Sequence, residues 1–126
     1  MTIGIDLGTT NSLVAYYEAG FPAVLAGTQG QRLLPSAVYL PPKAKPVLGY
    51  PALRQRAVSP ERTILSIKRL MGQHSGDRVE FPLPLESTPQ SKLALRIDDH
   101  LWTPEAISAL YLGKLKQIAE EALHQT

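Results

Sequence analysis

A short polar run between two apolar segments determines how this chain begins to fold. Residues 4–12 read Gly-Ile-Asp-Leu-Gly-Thr-Thr-Asn-Ser and lead directly into the apolar segment 13–17. This pattern predicts two antiparallel strands, Thr2–Asp6 and Ser12–Glu18, joined by a tight turn. Gly8 lets the backbone come close and tolerates positive φ, because it has no Cβ. The polar side chains of the turn offer more hydrogen-bonding capacity than a two-residue hairpin needs.

The residues of this turn have the chemistry of a site for a phosphate and its metal ion. Backbone amides around such a turn can converge on an anion, and the hydroxyls of Thr9 and Thr10 add donors. Asp6 can orient a hydrated Mg²⁺ ion, which binds few carboxylates and keeps most of its waters. The alternative is a purely structural turn, because Asp, Gly, Thr and Asn are common hairpin formers.

Composition limits the classes of function that the chain can have. Its 126 residues include 13 basic and 11 acidic side chains, for a net charge of +2. That balance argues against a nucleic-acid partner, and the basic residues between positions 54 and 69 lack interleaved aromatics. The chain has no cysteine, which excludes disulfides, thiolate zinc sites and cysteine nucleophiles. No segment approaches a membrane span of about 18 apolar residues, and no secretory signal is evident, so we expect a cytoplasmic protein without a membrane partner.

Turn residues and apolar spacing predict most of the remaining secondary structure. Further strands are predicted at Pro22–Leu25, Ala37–Leu40 and Lys92–Asp98. A helix is predicted from Pro51 to about Val58, and a second from Ser59 to Leu70. In the second helix Ser59 is the N-cap and Pro60 takes the first helical position. The apolar face of that helix would contain Ile64, Ile67 and Met71.

The last predicted helix has the clearest pattern in the chain. Thr103 is a good N-cap, Pro104 suits the first helical position, and Glu105 lies at the positive end of the helix dipole. An apolar stripe follows at helical spacing between Ile107 and Leu123. Because the sequence stops soon after this stripe, we expect the helix to expose its apolar face when the chain is alone.

Five segments together resemble the N-terminal ATPase region of the 70-kDa heat-shock chaperones, the DnaK-like proteins. The segments are Gly4–Ser12, Gly30–Ser36, Leu48–Ala52, Ile67–Gly72 and Thr103–Ala109. They occur in the family's order and nearly at its spacing, so the resemblance covers almost the whole chain and is weakest between Gln73 and Leu101. The chain departs from the family where Leu33 and Leu34 replace a threonine pair, and where Leu53 replaces the lysine of many members.

The resemblance implies the α/β actin-like ATPase fold, which is ribonuclease H-like, with two lobes around a nucleotide cleft. This chain resembles only the first part of lobe I: the opening strands, a small outer subdomain and the returning helix. We therefore expect residues 1–35 and 103–126 to form an inner subdomain and residues 36–102 an outer one. The second phosphate loop, the adenosine pocket and the peptide-binding domain are not in this sequence. We expect a fragment or a truncated gene product that has no ATPase activity on its own.

The resemblance also implies which residues form the site for ATP or ADP and Mg²⁺. Asp6 helps to hold the hydration shell of the Mg²⁺ ion. The contacts to the β- and γ-phosphates come from Gly8, Thr9, Thr10 and Asn11. Lys68 reaches the γ-phosphate and the attacking water, so Lys68, Asp6 and Thr9 form the implied catalytic set. This assignment suits phosphoryl transfer, which needs positive charge and positioning, and a lysine supplies a mobile point charge.

The resemblance implies that the full-length protein is an ATP-dependent chaperone of the stress response. ATP hydrolysis would drive binding and release of unfolded or apolar peptides in a C-terminal domain, with a J-domain co-chaperone and a nucleotide exchange factor as partners. Three alternatives remain: a filament ATPase of the actin or MreB type, a sugar kinase of the same superfold, and a non-catalytic truncated interaction module. The Pro35-Ser36 segment followed by Lys68 favours the chaperone over the filament protein.

Overall fold

The computed structural model describes residues 2–124, which form ten strands in three antiparallel sheets and two α-helices. The first sheet contains β1 (Thr2–Leu7), β2 (Asn11–Glu18), β3 (Phe21–Val24) and β4 (Leu34–Pro35). The second contains β5 (Ala37–Tyr39), β6 (Val47–Leu48) and β7 (Thr63–Leu65). The third contains β8 (Leu85–Ser87), β9 (Leu93–Ile97) and β10 (His100–Trp102). The helices are α1 (Tyr50–Arg54) and α2 (Pro104–Leu123), with short 3-10 helices at Pro60–Arg62 and Ile67–Leu70.

Strand β2 organises the first sheet, because β1, β3 and β4 all pair with it in antiparallel register. Leu7 lies opposite Ser12, which leaves a short connection between β1 and β2. At the other side of β2, Asn11 lies opposite Pro35. The three strands predicted near the N-terminus are confirmed, with ends that differ by one residue. The pairing places the turn after β1 next to the chain that leads into the second sheet.

The long helix α2 covers the first sheet. It begins as predicted, since the Thr103 side chain accepts a hydrogen bond of 3.1 Å from the amide of Ala106. Its stripe residues Ile107, Tyr111 and Leu115 are at most 1% exposed, and the helix packs on β2 and on the 3-10 helix of residues 67–70. The prediction that this apolar face is exposed is therefore wrong. Burial also raises the pKa of the Tyr111 hydroxyl well above its usual range.

Exposed apolar surface lies on the first sheet instead. The exposed large side chains of its strands are Ile3, Ile5, Tyr17, Phe21 and Val24. Strand β1 has one paired edge, to β2, within the described residues. Neither helix in the described part of the chain combines the length and apolar character that a membrane span requires.

The helix predicted from Ser59 to Leu70 does not form, and that prediction is wrong. The segment instead contains a 3-10 turn, strand β7 and a second 3-10 helix. Ile64 lies opposite Val38 of β5, and both side chains are fully buried at 0% exposure. Thr63 and Ile64 are β-branched and fit a pleated, half-buried surface well. Cross-strand packing with β5 therefore outweighs the helical spacing of the apolar residues.

The helix predicted from Pro51 to Val58 is shorter in the structure. Helix α1 ends at Arg54, and the chain continues in turns with hydrogen bonds such as Arg56 N–H to Leu53 O at 3.2 Å. The backbone of residues 55–58 thus turns repeatedly without extending the α-helix.

The predicted strand at residues 92–98 is confirmed as β9, which turns back into β10. Asp98 and Asp99 have φ angles of 52° and 62°, a left-handed conformation that aspartate tolerates in tight turns. Strand β8 was not predicted, because prolines on both sides obscure its pattern. The Arg62 guanidinium donates to both oxygens of Asp98 at 2.5 Å and lowers the pKa of that carboxyl. This ion pair joins the 3-10 turn before β7 to the turn between β9 and β10.

The hydrophobic core runs through all three sheets and α2. Its most buried members include Val14 of the first sheet, Ile64 of the second, Leu95 of the third and Leu115 of α2. The division into an inner subdomain (1–35 and 103–126) and an outer one (36–102) stays a prediction.

Candidate functional site

The turn between β1 and β2 brings two backbone segments unusually close at Gly8. A Cβ built on this residue would lie 2.2 Å from the carbonyl oxygen of Asn11. No larger residue fits unless the backbone of the turn moves. The close approach, and not a positive φ, is what requires glycine here, since the glycines with positive φ lie elsewhere.

A buried serine from the segment after β4 holds this turn in place. The Ser36 hydroxyl donates to the Gly8 carbonyl oxygen at 2.9 Å, and its backbone amide donates to the Thr10 carbonyl oxygen at 2.8 Å. The Ser36 Oγ also lies 2.9 Å from the Ser12 Oγ, and the two residues are 4% and 1% exposed. Buried and fully bonded groups of this kind give the turn one conformation. We call Ser12 and Ser36, with these contacts, the serine clamp.

The sequence did not predict the serine clamp. The available indication was the Pro35-Ser36 pair, which the resemblance singled out without giving it a structural role. Pairing of β4 with β2 is what brings the two serines together.

We expect Ser36→Ala to loosen the turn. The substitution leaves the Gly8 carbonyl and the Ser12 hydroxyl without this partner inside the protein, at a cost of about 1–3 kcal/mol in the free energy of unfolding. Chemical denaturation of the variant should show this loss. Ser108→Ala is the matched control, because Ser108 is also 4% exposed but lies on α2 and contacts Met71 Sδ. A Ser36→Ala protein that unfolds at the same denaturant concentration as the unmutated protein contradicts the clamp.

The turn borders a cleft of about 200 Å³. Thr9, Thr10 and Asn11 line it, and Ser36 of the clamp forms part of the same wall. The remaining polar side chains of the wall, Arg56 and Ser66, come from the second sheet region. Three of the residues predicted from the sequence to bind phosphate therefore line one cavity whose wall also includes the basic residue Arg56.

Lys68 lies near this cleft along the chain but does not form its wall. It belongs to the 3-10 helix of residues 67–70, where Ile67 and Leu70 are buried at 2% and 1% exposure and anchor the helix in the core. Lys68 itself is exposed. Ser66, immediately before the helix, has a left-handed φ of 58° and lines the cleft. The core thus fixes the backbone from which the long lysine side chain extends.

Asp6 lies next to the end of β1, opposite Leu13 of β2, and is exposed. It is the residue before Leu7, which ends the strand at the turn. A single exposed carboxylate beside a turn matches the preference of Mg²⁺ for few protein ligands and several waters.

The departures from the family pattern lie in two different environments. Leu34 is 5% exposed and packs on Gly49, where a Cβ would lie 2.6 Å from the Leu34 Cδ1. Gly49 has a φ of 79°, so both its conformation and its contact with Leu34 require glycine. Leu53, in contrast, lines the cleft beside Arg56.

Comparison with known protein families gives a match over nearly the whole chain. The family model described as Hsp70 protein matches residues 2–126. The matched range contains the glycine turn, the serine clamp, the 3-10 helix of Lys68 and the long helix α2. Because the match extends over nearly the whole sequence, this chain belongs to the Hsp70 protein family.

Proposed function

We propose that this chain supplies the phosphate-binding turn and the catalytic lysine of the ATPase of an Hsp70-type chaperone. Hsp70 proteins are generally ATPases that bind ATP or ADP with Mg²⁺. The observation that supports the proposal most is the turn at Gly8, which is too narrow for a Cβ and is held by the serine clamp. A preformed site of this kind costs no reorganisation when charge develops in the transition state.

In this proposal the turn residues bind the phosphate chain. The hydroxyls of Thr9 and Thr10 and the side chain of Asn11 face the cleft and offer neutral hydrogen-bond donors. Gly8 lets the phosphates approach the backbone closely. Asp6 would hold Mg²⁺ through water, and the ion would supply positive charge to the phosphate oxygens.

Lys68 is the proposed catalytic cation. Phosphoryl transfer depends on positioning and on electrostatic stabilisation more than on covalent steps. A lysine on a well-anchored 3-10 helix combines a fixed backbone with a mobile point charge that can follow the γ-phosphate. The burial of Ile67 and Leu70 around it provides that anchor.

At the level of the whole protein we propose a chaperone with the actin-like ATPase fold, of which this chain forms the first part of lobe I. Its clients would be unfolded or apolar peptides bound by a C-terminal domain, and a J-domain co-chaperone and an exchange factor would regulate it. Membership of the Hsp70 family favours this function over a filament protein or a sugar kinase.

The proposal is tested by nucleotide binding and hydrolysis in the full-length protein. We expect it to bind Mg-ATP and to release phosphate in a single-turnover assay, whereas the chain of residues 1–126 alone should hydrolyse no ATP. Omission of Mg²⁺ should weaken binding of ATP, because the phosphate charge is then balanced less well. A folded full-length protein that binds neither ATP nor ADP would point to a non-catalytic interaction module instead.

A further inference from the structure

One basic side chain lies on the wall of the cleft and has no role in the function proposed above. Arg56 lines the same 200 Å³ cavity as Thr9, Thr10 and Asn11 of the turn. Its amide donates to the Leu53 carbonyl oxygen at 3.2 Å, in the turns that follow α1. The backbone at Arg56 is therefore held by a hydrogen bond, and the residue is exposed and lines the cleft.

The charges of the cleft wall make Arg56 distinctive. The other polar groups of the described wall are hydroxyls and one amide, from Thr9, Thr10, Asn11, Ser36 and Ser66. No carboxylate among the described residues lines this cavity, and Arg56 is its one charged side chain. None of the ion pairs found within residues 2–124 includes Arg56. The cavity beside the phosphate turn thus carries one positive charge that the described residues do not neutralise.

We propose that the guanidinium of Arg56 binds the γ-phosphate of ATP and thereby makes the site prefer ATP to ADP. This inference rests on the proposed function, because it needs the nucleotide phosphates to lie at the turn. Neutral donors of the turn can bind any phosphate oxygen. A planar guanidinium adds a permanent charge and a pair of parallel donors that match two phosphate oxygens. ADP has no phosphate at the γ position, so this contact forms only when ATP is bound.

The test compares the affinities for ATP and ADP in three variants of the full-length protein. Arg56→Gln removes the charge, and Arg56→Lys keeps the charge but loses the paired donors. Arg54→Gln is the matched control, because Arg54 ends α1 and lines a separate cavity with Tyr50 and Lys114. Dissociation constants for Mg-ATP and Mg-ADP are measured by calorimetry at low and at physiological salt. Thermal unfolding confirms that each variant is folded, as expected for changes at exposed side chains.

We expect Arg56→Gln to weaken ATP binding about tenfold more than ADP binding, because the lost charge-assisted contact involves the γ-phosphate. Arg56→Lys should lose part of that preference, and Arg54→Gln should change neither affinity. The difference between ATP and ADP should shrink as salt rises, since the contact lies in a solvent-accessible cleft.

Two outcomes overturn the assignment in distinguishable ways. If Arg56→Gln binds ATP and ADP as the unmutated protein does, or weakens both equally, Arg56 has no role at the γ-phosphate although the proposed ATPase stands. If the unmutated protein itself binds neither nucleotide, the proposed function fails and the role of Arg56 fails with it.

Discussion

Lys68→Ala is expected to leave Mg-ATP binding nearly unchanged and to slow hydrolysis by about 100- to 1,000-fold, the cost of removing one preorganised group that stabilises transition-state charge. The fold should tolerate the change, because Lys68 is exposed while its neighbours Ile67 and Leu70 anchor the 3-10 helix in the core. Single-turnover hydrolysis of labelled ATP by the full-length protein measures the rate without interference from product release. Binding is measured separately by calorimetry.

Arg69→Ala is the matched control for this experiment. Arg69 is the next residue of the same 3-10 helix, is exposed, and has no proposed contact with the nucleotide. It should hydrolyse ATP at the unmutated rate. Hydrolysis by Lys68→Ala at the rate of Arg69→Ala would remove Lys68 from the catalytic site.

Gly8→Ala should disable the phosphate site. The added Cβ would lie 2.2 Å from the Asn11 carbonyl oxygen, which belongs to the backbone and cannot rotate away. Relief of this clash requires a shift of about 1 Å in the turn, and misplacement of this size can cost about 100-fold in rate. The shift also strains the contacts of the serine clamp, so we expect the free energy of unfolding to fall by about 1–3 kcal/mol. Single-turnover hydrolysis and chemical denaturation of the full-length variant measure the two effects.

Gly4→Ala separates the local clash from a general effect of replacing glycine. Gly4 lies in β1, the strand that leads into the turn, and a Cβ there would meet nothing within 4 Å. This variant should keep both its stability and its hydrolysis rate. A Gly8→Ala protein that performs like Gly4→Ala would show that the narrow turn has no part in binding phosphate.

The β1–β2 hairpin and helix α2 were predicted correctly from local sequence patterns. The β1–β2 hairpin follows from apolar strands on both sides of a glycine-containing polar turn. Helix α2 follows from its N-cap at Thr103, whose side chain accepts the expected bond from Ala106, and from an apolar stripe at helical spacing. In both cases the residues that specify the structure are near neighbours in the sequence.

The segment of residues 59–70 shows where local patterns fail. Its capping residues and apolar spacing favour a helix, but the chain forms strand β7 between two 3-10 helices. The deciding contact joins Ile64 to Val38 in a neighbouring strand, and both are completely buried. Burial of large apolar side chains contributes more free energy than helix propensity, which differs by only a few tenths of a kcal/mol among such residues.

Some residues of the candidate site were suggested by the sequence, whereas others could be placed only by contacts between distant segments. The turn residues and Asp6 are candidates because their residue types suit phosphate chemistry, and Lys68 is a candidate only through the family resemblance; these roles stay predictions. Ser36 and Arg56 could not be placed from the sequence, because their proximity to the turn depends on how separate elements pack. The clamp bond joins Ser36 to Gly8 across 28 residues, and no local pattern encodes a contact of that length. The amino-acid sequence alone therefore determined the hairpin and the long helix, since neighbouring residues specify each of them. Only the tertiary structure decided the strand at Thr63–Leu65, the serine clamp and the position of Arg56 on the cleft wall, because burial and pairing between distant segments create them.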